Sequence, residues 1–488
     1  MPNKFDFLSR TVRFFALSFA VVGMFAVGST DAQVGGVYTM TNALDGNEIA
    51  AFARFSNGKL RRIGSFATGG LGSTEFDGGE GLDPLISADS IIVSEDHSLL
   101  FAVNAGSDSI TSFRINRNFS LTRVHTVSSG GVGPNSLAMS GSRLFVSNID
   151  RDGLALGDPE TPRGEPNDEG NVQGFWVFPS GYMLRLSGST INLDNRPADI
   201  GFSANGQNLI ITSITAGSAA LPGPNAANSV SVYGVRGNGR VTGMVGSATG
   251  TQVGNEDGRN LGSAIDFDTT IIGDREFVVV TEAREFNAAG APPILPALQA
   301  GSVSVYELNR DGSLTSTEDD FALGDPAASP FEQASQLTTC WIDFGRDGRT
   351  FYVSNAINAT ISSFRLNSDG TLRLLDELAA EGVSGFSTGG TTGPEVFGTT
   401  DGFIDLDVSD DGRHLYQLEG LSGEISVYRV NGNSGSLQRI QTVGGLPDVD
   451  TQGIITVSSQ RAVRILVFIK LLKLIKIKLF SFFATLFF

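Results

Sequence analysis

The chain has 488 residues, 61 of them glycine and only 18% charged, with a formal net charge of −18. Short apolar runs rich in Val, Ile, Phe and Ser, separated by Asn-Gly and Asp-Gly pairs, point to an all-β fold and away from helical or extensively disordered classes. Its acidity weighs against nucleic acid or an anionic membrane as partners of the folded body.

Residues 1–32 carry Lys4, Arg10 and Arg13, an apolar run from Phe14 to Val27, and small residues ending Thr30-Asp31-Ala32. That is the layout of a signal peptide, with cleavage expected after Ala32 and a secreted product, periplasmic if the source is bacterial. An uncleaved anchor is the competing reading, although the run is short for a full membrane span. A secreted chain whose sole cysteine is Cys340 has no internal disulfide, so its stability must come from a large core. Cys340 lies between Thr339 and Trp341 in an apolar run, which suits a buried structural thiol better than a nucleophile. Two triplets, Asn118-Phe119-Ser120 and Asn358-Ala359-Thr360, are glycosylation acceptors if the host is eukaryotic.

From residue 33 to 460 one pattern recurs: an apolar strand, a tight polar turn, a second strand ending in Asn or a similar residue, a loop, a strand ending Ser-x-Phe or Val-Tyr, a glycine turn and a final strand. Two copies nearly superimpose, "SLLFAVNAGSDSITSFRINRNFSLTRV" and "TFYVSNAINATISSFRLNSDGTLRL", and weaker copies begin near Asn135, Pro197, Ala264 and Gly402. Four short antiparallel strands per irregular repeat specify propeller blades with loop insertions. The first stretch, from Val37 to Phe66, supplies only the second to fourth strands of a unit, and Gly453 to Ser459 can supply the missing inner one. The expected fold is a seven-bladed β-propeller of four-stranded antiparallel blades, closed by N- and C-terminal strands in one composite blade.

Residues 461–488 differ in kind, with six Lys and Arg, no acid, and dense Ile, Leu and Phe. They read either as a membrane-lying basic helix or as a gene-model artefact appended to a complete propeller; the abrupt change of composition favours the second. Setting aside this tail and the leader leaves about −25 on the body, since the two carry +6 and +1 of the total −18.

The strands "FAVNAGSDSITSFRI", "FYVSNAINATISSFRLNSDGTL" and "DVSDDGRHLYQL" resemble the lactonase family of seven-bladed propellers with YVTN-type repeats, which includes bacterial 6-phosphogluconolactonase and fungal carboxymuconate lactonising enzyme. The resemblance spans roughly residues 36 to 459 and implies hydrolysis or formation of a lactone of a sugar acid or carboxylated substrate, with no cofactor. The alternative is a non-catalytic extracellular scaffold that binds a protein or glycan, because fold alone does not fix function.

Sorting connections by face puts tight turns such as Asp96-His97, Asp347-Gly348 and Asp411-Gly412 on one side of the disc and every long insertion on the other. The loop side and its central funnel are therefore the expected ligand site. Candidate substrate-binding positions are Arg196, Arg259, Arg284, Asn104, Asn148 and Asn355, with the arginines suited to clamp an anionic group. Glu282 and Asp199 are the candidate acid–base residues. No histidine is expected in the funnel: His97 and His414 fall in tight turns and His125 in an outer strand, whereas the lactonising relatives use a funnel histidine. The loop Asp150 to Asn171 and the run Glu75, Asp77, Glu80, Asp83 could offer oxygen ligands to calcium, but neither has an EF-hand spacing and solvated acidic loops are the preferred reading.

Overall fold

The computed structural model describes residues 32–73, 83–85, 87–149, 170–193, 196–214, 229–249, 263–283, 285–286, 297–298, 301–323, 336, 339–356, 358–382, 402–432, 434–447 and 450–459. Seven antiparallel sheets stand around a central channel. Their inner strands, in ring order, are Gln452–Ser458, Ile91–Val93, Pro134–Ser140, Arg196–Phe202, Ser263–Ile272, Thr339–Phe344 and Phe403–Val408, each touching the next. The third blade departs from the pattern, its outer strand being split into Met183–Arg185 and Ile191–Asn192.

The first blade is composite. Gln33–Met40, Glu48–Phe55 and Leu60–Ala67 form its outer three strands, and Gln452–Ser458 pairs with Gln33–Met40 in the register Gly36↔Val457, Tyr38↔Ile455. This pairing gives both chain-terminal segments of the ring a neighbour and leaves no open blade edge between them.

Burial explains the strand sequences. Second strands such as Leu99–Asn104 and Thr350–Asn355 are buried along their whole length, because adjacent blades cover both faces, and they read as continuous apolar runs. Outer strands such as Leu60–Ala67 keep only partial burial and carry the charges. At the loop-side end of the second strand the recurrent Asn acts as a clamp: Asn104 Nδ2 donates to Ser109 Oγ (3.2 Å) and Thr111 Oγ1 (3.0 Å), and Asn355 Nδ2 to Thr360 Oγ1 (3.1 Å) and Ser362 Oγ (3.0 Å). One residue earlier, a hydroxyl plugs a bulge in the inner strand. Thr212 Oγ1 donates to Ile265 O (2.8 Å) and Thr281 Oγ1 to Cys340 O (2.6 Å), each reaching the following blade.

Tight turns on the opposite face use a shared device. Asp311 and Asp369 each accept from the N–H and hydroxyl of the residue two positions on, and Asn118 does the same for Ser120. Phe119 therefore occupies the left-handed position (φ 63°) that Gly312 and Gly370 fill in the matching turns. Its ring is buried and its carbonyl accepts from Tyr38 Oη at 3.0 Å, which offsets that strain. Within the Asn-x-Ser triplet, the Asn118 side chain thus serves the turn.

Truncation before Gln452 should abolish cooperative unfolding of the whole ring, followed by circular dichroism and calorimetry. A truncated chain that melts at the parent temperature would overturn the closure argument.

Candidate functional site: the central channel

An inner strand has one edge with no strand partner, and its N–H groups need acceptors. Aspartates of the neighbouring blade supply them. Asp266 Oδ2 accepts from Ile342 N–H (2.9 Å), Asp268 Oδ2 from Phe344 N–H (3.3 Å), Asp343 Oδ2 from Val408 N–H (2.5 Å) and Asp405 Oδ2 from Ile454 N–H (2.8 Å). Asp407 Oδ1 accepts from Thr456 Oγ1 at 2.7 Å. Asp199 points the other way round the ring: its Oδ1 accepts from Ser136 Oγ (2.8 Å), while Ser136 Oγ accepts from Ile200 N–H (3.1 Å).

These carboxyls form two tiers. Asp268, Asp343 and Asp407 sit opposite Val279, Tyr352 and Tyr416, each three residues before the end-of-strand Glu282, Asn355 and Glu419. Asp199 lies nearer the loop side, opposite Thr212, and Asp266 and Asp405 fall in the bulges at that level.

Enclosure raises their proton affinity. Burial pushes Asp199 and Asp405 from 3.8 up to about 7, Asp407 to about 8 and Asp268 to about 6, against the lowering effect of the hydrogen bonds they accept. Asp266 and Asp343 are driven well above the ordinary range by burial, then by neighbouring carboxylates.

Asp89 stands apart. It precedes the inner strand of the second blade, has a left-handed backbone (φ 53°), and among the described residues its carboxyl receives no hydrogen bond. Its side chain is exposed, but to the channel, walled by blades on every side. Enclosure and the charges of Asp199, Asp405, Asp268 and Asp407 raise its pKa well above the usual value. Because channel water reaches it, the charge repulsion weighs more here than dehydration does.

The channel opens toward the tight-turn side into two adjoining cavities of about 270 and 290 Å3 that share Val93 and Ile455. His97 and Arg346 rim the first. The expectation that histidine stays out of the centre thus holds for His125, on an outer strand, and for buried His414, whereas His97 reaches the turn-side mouth. There Nδ1 of His97 accepts from Ser458 N–H at 3.0 Å and lies 3.8 Å from Asp410 Oδ2.

The remaining sequence candidates divide by role. Glu282 is buried and held within its own blade, accepting from Ser302 Oγ (2.7 Å) and Ser304 Oγ (3.1 Å). Asn104 and Asn355 are the clamps described above, and Asn148 Nδ2 donates to Asn171 Oδ1 at 3.0 Å. Arg196 is 8% exposed at the start of its inner strand. Arg259 and Arg284, like most of the long loops and the acidic calcium candidates other than Asp83, lie outside the described residues. Asp83 Oδ1 accepts from Gln452 Nε2 at 3.0 Å. Among the described residues no three His, Cys, Asp or Glu side chains are grouped to hold a metal ion. Cys340 is buried and its thiol is pushed well above the usual range by burial, which keeps it protonated. Of the channel acids, the sequence singles out Asp199 alone; the repeated inner-strand motifs "PADI", "AIDFD", "WIDF" and "FIDLD" are the signal for the others.

The Lactonase, 7-bladed beta-propeller family model matches residues 36–165. No curated protein matches the chain. Among solved structures, a candidate 6-phosphogluconolactonase from Bacteroides fragilis is 13% identical, covering 88% of this chain and 99% of its own, with a TM-score of 0.56. One from Bacteroides uniformis is 15% identical (87% and 100% covered, TM-score 0.55), and a protein from Lactobacillus plantarum 14% identical (88% and 100%, TM-score 0.58). At these identities the likeness establishes the fold.

The channel acids make stability depend on pH. Their folded pKa values lie above the unfolded one, so the folded state binds more protons, and stability is full below about pH 4 for these groups and lost as pH rises through about 6 to 8. Urea unfolding at pH 5 and pH 8 should show the protein more stable at pH 5, with Asp405→Asn flattening the difference. Greater stability at pH 8 would contradict the assignment.

Proposed function

We propose that this lactonase-type propeller hydrolyses a lactone in its central channel, with Asp89 as general base. The observation carrying this reading is the Asp89 carboxyl: free of hydrogen bonds among the described residues, open to channel water, set on a strained backbone and raised in proton affinity. Every other channel aspartate named above has an oxygen committed to a strand N–H or a hydroxyl. Glu282 has both oxygens occupied by serines.

In this scheme Asp89 takes a proton from a water as the water oxygen bonds to the lactone carbonyl carbon. The carbonyl oxygen gathers the negative charge, and Thr269, which lines the same cavity, carries a hydroxyl to stabilise it. When the carbonyl re-forms, the ring C–O bond breaks and the leaving oxygen recovers the proton from Asp89, giving a hydroxy acid. No covalent nucleophile is required, since the lactone carbonyl is already electrophilic. Asp199, the strongest of the neighbouring charges acting on Asp89, is a positioning residue that, after burial, raises its proton affinity.

Asp89→Asn retains tolerance for the left-handed backbone while removing the base. It should lower kcat for lactone hydrolysis by roughly 100- to 10,000-fold with little change in melting temperature. Asp199→Asn should instead move the rising limb of the pH–rate profile to lower pH, because a neighbouring negative charge is lost. Unchanged turnover in Asp89→Asn, or no lactone turnover by the parent protein, would refute the scheme.

A further inference from the structure

Each blade turns from its third to its fourth strand through a tight hairpin, in which the first turn residue donates its N–H to the carbonyl that closes the turn. In the second, fifth and sixth blades the residues that meet there are Asn116–Ser120, Asn309–Ser313 and Asn367–Thr371, and the Asn side chain donates to the hydroxyl at 3.0, 3.1 and 3.0 Å. The third blade has Phe178 and Tyr182 instead, with Phe178 N–H donating to Tyr182 O at 2.9 Å. That exchange gives up a side-chain hydrogen bond and leaves two large rings in water, Phe178 41% and Tyr182 49% exposed. The rings are nonetheless fixed in place. Tyr182 stacks on His125 of the second blade, with centroids 4.0 Å apart and planes at 24°, and the Phe178 ring lies 6.3 Å away. Gly181, at φ 93°, accepts from Ser112 Oγ at 2.6 Å and so pins the turn to the neighbouring blade. With one face of Tyr182 covered by His125 and nearly half the residue exposed, its other face is open.

Charge sets the same region apart. Residues 109–149 and 171–192, which build the outer half of the second blade and the described strands of the third, contain no Asp or Glu in a chain that has 52, and carry Arg114, Arg117, Arg123, Arg143 and Arg185. Two of these arginines flank the rings, and both are exposed. Arg114 Nη2 donates to Ser180 O within the turn (3.4 Å), and Arg185, three residues beyond Tyr182, is directed by the bond from its Nε to Gln173 Oε1 (2.8 Å). The acidic stretch 150–169, outside the described residues, joins the third blade at the opposite, loop-side end. We propose that this rim binds an acidic polysaccharide. The C–H face of a pyranose ring packs on Tyr182 and Phe178, and the carboxylates of a uronic acid chain meet Arg114 and Arg185. A polypeptide suits the surface less well, because strand addition needs open backbone groups at a sheet edge, and Met183 N–H in the outer strand already donates to His125 Nδ1 at 3.3 Å. That bond leaves the proton of the neutral imidazole on Nε2, a donor of the kind that sugar hydroxyls accept.

The test measures binding of the full chain to polygalacturonate by calorimetry, with neutral galactan and poly-L-glutamate as comparators. Polygalacturonate should bind, more weakly as salt rises, and galactan should bind roughly tenfold or more weaker. Tyr182→Ala and Phe178→Ser should each weaken polygalacturonate by about tenfold, Tyr182→Phe should keep it, and Arg114→Gln combined with Arg185→Gln should bring it down to the level of galactan. Melting followed by circular dichroism identifies any variant that has lost its fold; Phe178→Ser, which removes an exposed ring, should melt with the parent protein. Absence of polygalacturonate binding, or binding unchanged in the folded variants, overturns the proposal. Galactan bound as tightly as polygalacturonate overturns it too, and poly-L-glutamate bound as tightly would make the partner an acidic polypeptide instead. Because the site lies on the rim, none of these outcomes bears on lactone turnover in the channel.

Discussion

The unpaired edge of each innermost strand is the constraint on which the channel depends. A ring of blades turns seven such edges toward one axis, and their N–H groups must find acceptors in a space too narrow for another strand. Carboxylates from the adjacent blade meet that need at Ile342, Phe344, Val408 and Ile454. The solution gathers acids in one enclosure, so the contacts that join blades also create the electrostatic character of the centre. Structure and chemistry here draw on the same side chains, with Asp89 the exception whose carboxyl accepts no hydrogen bond among the described residues.

Much of the architecture was legible because it repeats. A strand pattern copied from blade to blade, with its turns marked by Asp-Gly and Asn-Gly, identifies both the unit and the incomplete first copy, and the pairing of Gln33–Met40 with Gln452–Ser458 follows from that gap. The site was less legible for a physical reason. Asn104 and Asn355 recur at the mouths of their blades, where binding residues would recur too, yet two hydroxyls on the following strand engage each amide. Recurrence in a repeat protein marks what every blade needs, which is internal hydrogen bonding. Asp89 recurs nowhere at its position: the alignment of Ser94 with Ser203 and Ser409 at the turns puts Asp89 level with Ala198 and Ile404. A departure from the repeat was the informative signal, and a reading built on repetition passes over it.

The acidic centre also bears on how the lactonase likeness should be used. The family match covers residues 36–165, the part of the chain that includes Asp89, Leu137 and Met139, while the acids of the fifth to seventh blades lie beyond it. Shape is shared over nearly the whole ring at low identity, so the lining of the channel can diverge while the blades stay superimposable. The side chains inside the ring, more than its outline, set one such channel apart from another.

The composite blade has a consequence in time. Arg54 Nη2 meets Ser458 Oγ across a separation of 404 residues, and Thr39 meets Gln452 across 413. As the chain emerges from the ribosome, the other six blades can assemble from contiguous sequence, but the first waits with an exposed strand edge until the last of the ring has been made. For that interval Gln33–Met40 is a strand in search of a partner, and another copy of the same chain offers an identical closing segment. Crowded synthesis would favour exchange of that segment between two molecules, giving rings each completed by the other's final strand.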